Sequence, residues 1–180
     1  MDIFDMCYET IVVKIEKLYS NDPQDAGGET VWGIARNRHP ESTIWPIVDY
    51  LRTQPNFPDS IKDHPEITAQ TKDFYRLQFW NTLRCSELPP SLALMVFDEA
   101  INEGPGQAAR DLQKAIGATV DGSIGDHTIE TANHKWSPWM LSHFAAIRSI
   151  GYTFKHDWPV YQNGWMDRIF EIYRQAATML

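Results

Sequence analysis

The chain has 180 residues, 43% of them hydrophobic and seven of them tryptophan, enough for one sizeable domain or two small lobes around a real core. A net charge of −8 argues against general nucleic-acid binding, which needs a basic surface, and any grip on an anionic polymer would have to come from a local cleft. No run of about twenty apolar residues is present to cross or insert stably into a membrane, the opening Met-Asp-Ile-Phe-Asp-Met has no basic-then-apolar leader, and two cysteines imply no disulfide framework.

Phe4, Tyr8, Ile11, Ile15 and Leu18 recur at steps of four, three, four and three, which predicts a buried helix ending near Leu18. Glu16 falls in its last turn, a setting that suits a carboxyl acting as a proton donor. The segment that follows, through Asn21, Asp22, Pro23 and Asp25 to the pair Gly27-Gly28, consists of turn formers and must fold back over the helix end. A rigid carboxyl beside a tight loop with further carboxylates is a common layout for a catalytic site.

The spacing of these residues carries a resemblance. Glu16, Tyr19, Asn21, Asp22, Pro23, Asp25, Gly27, Gly28 and Thr30 match, position by position, the pattern Glu-Gly-Gly-Tyr-x-Asn-Asp-Pro-x-Asp-Pro-Gly-Gly-x-Thr. That pattern opens family 108 of the glycoside hydrolases, the N-acetylmuramidases of phages and bacteria, so the segment resembles that family. Phage-type lysozymes are similar in the Glu-to-Asp spacing, with one residue more before the threonine. Lys17 and Leu18 stand where the family has two glycines, and Ala26 where it has proline.

Further along, Val31-Trp-Gly-Ile-Ala35 reads as a short strand or a continuation of the fold-back, with Trp32 either a core residue, the commoner fate, or a platform for a sugar ring. Ile44 to Leu51 suits a short helix, and the proline-rich stretch from Thr53 to Ser60 must be irregular. A helix is predicted from Pro65 to about Arg84, and Tyr75-Arg-Leu-Gln-Phe-Trp80 within it resembles the family's middle helix. After the break at Glu87-Leu-Pro-Pro-Ser91 comes a helix apolar over most of its circumference, which places it at the centre of a core. It ends at Asn102-Glu-Gly-Pro-Gly106, before an alanine-rich helix; Phe97, Asp98, Asn102, Gly104, Pro105, Leu112 and Gln113 fit another family pattern.

Asp121-Gly-x-x-Gly125-x-x-Thr128 makes a turn and starts a helix, and is similar to the repeat of peptidoglycan-binding modules; a purely structural role and direct ligand contact are both open. Ser137-Pro138 caps the next helix, which Gly151 is expected to close, and Asn163 can cap a last helix. Gly164-Trp-Met-Asp-Arg168 resembles the family's closing segment.

The expected fold is mostly α, a lysozyme-like helical fold with a small irregular or β-hairpin segment after the first helix. Residues 1–86 are expected to form the catalytic region and 87–180 a helical, peptidoglycan-binding-like region packed with it. The resemblance implies a muramidase that cuts the β-1,4 bond between N-acetylmuramic acid and N-acetylglucosamine. It implies a phage endolysin made in the host cytoplasm and acting on the wall in the periplasm, a monomer whose partner is the peptidoglycan strand. Glu16 would be the general acid, Asp25 the base and Thr30 a group that helps place water, with Asp22 and Glu29 as rival bases; Tyr19, Asn21, Trp32 and Asn102 would contact substrate. A lytic transglycosylase or a non-catalytic wall-binding or secretion-associated protein would be the other classes. No cofactor is implied, and the six histidines show no metal-ligand spacing.

Overall fold

The structure, a computed structural model, describes residues 2–23 and 27–180; Asp25, the expected base, lies outside the described residues. The chain divides into two compact units, Met1–Leu77 and Gln78–Leu180.

The first unit opens with α1 (Ile3–Tyr8), continued by one π-helical turn, Glu9–Val13. Of the expected stripe, Phe4, Tyr8 and Ile11 are shut from solvent, whereas Ile15 and Leu18 are only half-buried. The helix is shorter than expected, however, and Glu16 lies three residues past its end. The cause is the β-branched run Thr10-Ile-Val-Val, which crowds a regular helix. Thr10 donates back to the Met6 carbonyl at 2.9 Å, and the amides of Ile15 and Glu16 both reach the Ile11 carbonyl, at 3.1 and 3.2 Å. The widened turn ends regular winding yet keeps Glu16 tethered to the helix end.

Three short strands follow, β1 (Tyr19–Ser20), β2 (Thr30–Val31) and β3 (Ile34–Ala35), in an antiparallel sheet of that order. Tyr19 pairs with Val31 and Ser20 with Thr30, while Thr30 pairs with Ala35 and Val31 with Ile34. Then come α2 (Ile44–Leu51), at the bounds read from sequence, and α3 (Pro65–Tyr75), with proline in its first turn. Ile44, Val48, Ile61, Ile67 and Tyr75 close this unit's core with the α1 stripe, and the rings of Tyr8 and Tyr75 meet edge-on, centroids 6.1 Å apart.

The second unit is built on α4 (Pro90–Glu103), in which every residue from Ser91 to Ala100 is buried. It packs against α5 (Pro105–Ile116), α7 (Pro138–Thr153) and α8 (Trp158–Ala177), with α6 (Asp126–Lys135) set against α5. Ser137 caps α7 as expected, accepting the Met140 amide at 3.3 Å. Two expected helix ends are corrected. Gly151 does not close α7, which runs to Thr153, and Asn163 lies inside α8, whose start is at Trp158. In both cases burial and ring packing outweigh a local end signal. Tyr152, next after Gly151, is 1% exposed and held by hydrogen bonds, and Trp158 and Tyr161 pack on Trp165, centroids 6.2 and 5.8 Å away.

Asp98 at the middle of α4 joins the helices by charge. It accepts Arg148 of α7 at 2.6 Å and Arg168 of α8 at 2.9 Å, with Asp98 and Arg148 both essentially unexposed. The separated motif residues Asp98 and Arg168 thus meet in one ion-pair cluster, a structural use of both.

Candidate active site

Within the first unit, Trp32 and Gly33 are the two central residues of the β2–β3 hairpin, and both have positive φ, +42° and +80°. Such a two-residue turn matches the twist of its strands but strains any residue other than glycine. The strain at Trp32 is held from both sides. Its amide donates to the Leu18 carbonyl at 3.1 Å, and its own carbonyl accepts the buried Tyr75 hydroxyl at 2.7 Å.

The turn brings Gly33 against the helix end. A Cβ on Gly33 would lie 2.5 Å from Tyr75 Oη and 3.5 Å from Glu16 Oε2. Only glycine satisfies both the φ and the space. The Glu16 carboxyl, the Gly33 backbone and the Tyr75 hydroxyl therefore form one cluster, at which Gly33 is exposed and Glu16 half-buried. A carboxyl held against a fixed turn and still reachable from solvent can exchange a proton with a bound ligand. Tyr75 carried no site role in the sequence reading; the motif around it was visible, but the contact with Trp32 spans 43 residues.

Beside this cluster, Glu29 is engaged structurally. It is 7% exposed, and its carboxylate accepts the Tyr19 hydroxyl at 2.8 Å and pairs with Arg36 at 2.8 Å and with Arg52. Arg36 lies 4.7 Å over the Trp45 ring and also pairs with Asp49 at 2.7 Å, which holds that carboxyl below the usual range. Burial, then the bond to Glu29, raises the Tyr19 phenol. Arg36 and Arg52 belong to this network without any signal at sequence level, since each is one arginine at no fixed spacing from Glu29.

The other expected site residues are distributed unevenly. Thr30 sits in β2 and donates to the Gly28 carbonyl at 3.1 Å; Gly28 itself has φ +67° and leaves no room for a side chain beside Asn37. Tyr19 is a strut beneath Glu29, with its ring edge-on to Phe57 at 4.7 Å. Asn21 and Asp22 follow β1 and are exposed. Trp32 is 4% exposed, so its indole packs inside the unit, the core reading of the two. Asn102 belongs to the second unit, where it donates to the Tyr152 hydroxyl at 2.6 Å. Among the described residues no group of histidine, cysteine, aspartate or glutamate side chains could hold a metal ion.

The Asp121 turn of the second unit is saturated by its own chain. Gln113, 1% exposed, donates to Asp121 at 2.7 Å and to the Ser123 carbonyl at 2.9 Å, and it accepts the amides of Asp121 and Gly122 at 3.0 and 2.9 Å. The bonds from Gln113 and from the Ser123 amide hold the Asp121 carboxyl below its usual range.

No curated protein matches the chain. Among solved structures, that of SagA from Brucella abortus is similar at a TM-score of 0.74 over 98% of this chain and 94% of that one, with 23% identity, a likeness of fold. The fold is thus the mostly α, lysozyme-like one expected. The family model described as glycosyl hydrolase 108 matches residues 10–104, more than half of the chain, and takes in Glu16, the hairpin and Tyr75. The protein therefore belongs to glycosyl hydrolase family 108 and is a glycoside hydrolase.

Proposed function

We propose that this glycoside hydrolase is an N-acetylmuramidase that cuts the β-1,4 bond between N-acetylmuramic acid and N-acetylglucosamine in peptidoglycan, as a monomeric phage endolysin made in the host cytoplasm and acting on the wall after release. The observation that carries the reading is the half-buried Glu16 carboxyl set against the strained Trp32-Gly33 turn, of which Gly33 is exposed. Glu16 gives its proton to the glycosidic oxygen as that bond breaks. Asp25 removes a proton from a water that Thr30 helps to place, and the water attacks the anomeric carbon from the opposite face. Two carboxyls in such an inverting pair stand roughly 6.5–9.5 Å apart to admit the water, against about 5–5.5 Å in a retaining pair. Glu29 is the poorer base, because its carboxylate is taken up by Tyr19, Arg36 and Arg52.

Digestion of purified peptidoglycan, with mass analysis of the fragments and proton NMR of the first-formed reducing ends, tests the reading. The expected product is a reducing N-acetylmuramic acid end in the α configuration, lost in Asp25→Asn. A 1,6-anhydro end would indicate a transglycosylase, a β anomer a retaining enzyme. Activity that survives Asp25→Asn but not Asp22→Asn would move the base to Asp22, and no fragments at all would sink the catalytic reading.

A further inference from the structure

Tyr75 closes α3 and enters no step of the proposed hydrolysis. Its hydroxyl nevertheless reaches Trp32, the one non-glycine residue with positive φ among the described residues of the first unit. Tyr75 is 2% exposed, and its ring meets those of Tyr8 and Phe74 edge-on, centroids 6.1 and 5.4 Å away. That packing fixes where the hydroxyl points, and it donates to the Trp32 carbonyl at 2.7 Å. A bulky residue at φ +42° stays there only where its surroundings over-determine it.

The bond acts on more than Trp32. A carbonyl and the amide that follows it lie in one rigid plane, so fixing the Trp32 oxygen fixes the peptide that leads into Gly33. Gly33 is the residue that borders the carboxyl: the place its Cβ would take is 2.5 Å from Tyr75 Oη and 3.5 Å from Glu16 Oε2, and glycine puts no side chain there. A hydroxyl 43 residues along the chain from Trp32 therefore helps to set one wall of the space in which the Glu16 carboxyl lies. Tyr8 supplies the contrast. Its ring touches that of Tyr75 and it is 1% exposed, but its own hydroxyl is closed to solvent and has no hydrogen-bond partner. The two tyrosines share ring packing, and of the pair only Tyr75 ties its hydroxyl to the turn.

We infer that Tyr75 is a positioning residue for the Glu16 carboxyl, acting through the Trp32-Gly33 turn. It passes no proton to the substrate, because its own proton is engaged by the Trp32 carbonyl. The inference rests on the reading of Glu16 as the proton donor, since what the turn places is the carboxyl that must meet the glycosidic oxygen. A reacting group displaced by about an ångström can cost roughly a hundredfold in rate, so a loosened turn shows in the chemical step before it shows in binding.

The test compares the full chain with its Tyr75→Phe and Tyr8→Phe variants on solubilised peptidoglycan, with circular dichroism as the check of folding. Tyr75→Phe keeps the ring and loses only the hydroxyl; kcat should fall by about tenfold or more while KM stays within about twofold. Tyr8→Phe removes a hydroxyl from the same ring cluster, and both constants should stay within about twofold, because an unbonded hydroxyl holds nothing in place. In a Glu16→Gln background, Tyr75→Phe should change the residual rate by less than about twofold, since the group it positions is gone. An unchanged kcat in folded Tyr75→Phe, an equal fall in Tyr8→Phe, or the full tenfold fall repeated in the Glu16→Gln background would overturn the inference and leave the hydrolase reading standing. A Glu16→Gln protein as active as the parent would remove the acid reading, and this inference with it.

Discussion

Trp32-Gly33 and Asp121-Gly122 each put a glycine at positive φ in a turn, and the two turns are used differently. At Asp121-Gly122, polar atoms are consumed locally: one buried side chain, Gln113, satisfies both turn amides, the Asp121 carboxylate and the Ser123 carbonyl. At Trp32-Gly33 the turn is held from outside, by the Leu18 carbonyl and the Tyr75 hydroxyl, and its glycine borders a half-buried carboxyl. A turn stitched by its own neighbourhood serves stability. A strained turn held by distant groups serves position, because the strain persists only where the surroundings over-determine it.

Exchanging one polar side chain at each turn should separate these roles most widely. Glu16→Gln keeps the shape and loses the transferable proton, so hydrolysis of peptidoglycan should fall by about two to four orders of magnitude with little change in urea unfolding. Gln113→Leu should do the reverse, costing about 2–4 kcal/mol through the amides and carboxylate it leaves unpaired, with activity per folded molecule near wild type. A Glu16→Gln protein that kept a tenth of the activity would remove Glu16 as the acid.

A smaller effect is expected where both roles meet. Gly33→Ala puts an L side chain at φ +80° and a methyl group 2.5 Å from Tyr75 Oη. The backbone cost is about 1–2 kcal/mol. Because the displaced groups border Glu16, kcat should also drop by roughly tenfold or more. Loss of stability with unchanged kcat would show that the turn's position is irrelevant to the chemistry.

The least change is expected at Lys17 and Leu18, which stand where the family resemblance has glycines. They lie past the helix end, so glycine there breaks no helical turn. The double change to glycine should cost about 0.4–1 kcal/mol per site through unfolded-chain entropy and leave activity within a few-fold. A large gain in turnover would instead mean that these side chains narrow access to Glu16.

Much of this was legible in the chain itself. The stripe Phe4-Tyr8-Ile11, the bounds of α2, the Ser137 cap and the buried α4 all follow from local rules: an apolar period, a fixed proline φ and a hydroxyl able to take an orphan amide. The spacing from Glu16 to Thr30 likewise pointed to the family, whose model takes in residues 10–104. Tertiary structure decided the rest. It carried α7 past Gly151 and α8 back to Trp158, and assigned Tyr19 and Glu29 to a clamp with Arg36 and Arg52. It also set Tyr75 under the Trp32 turn. These depend on which side chains meet after the chain has folded, and hydrogen bonds between residues tens of positions apart leave no periodic trace in sequence.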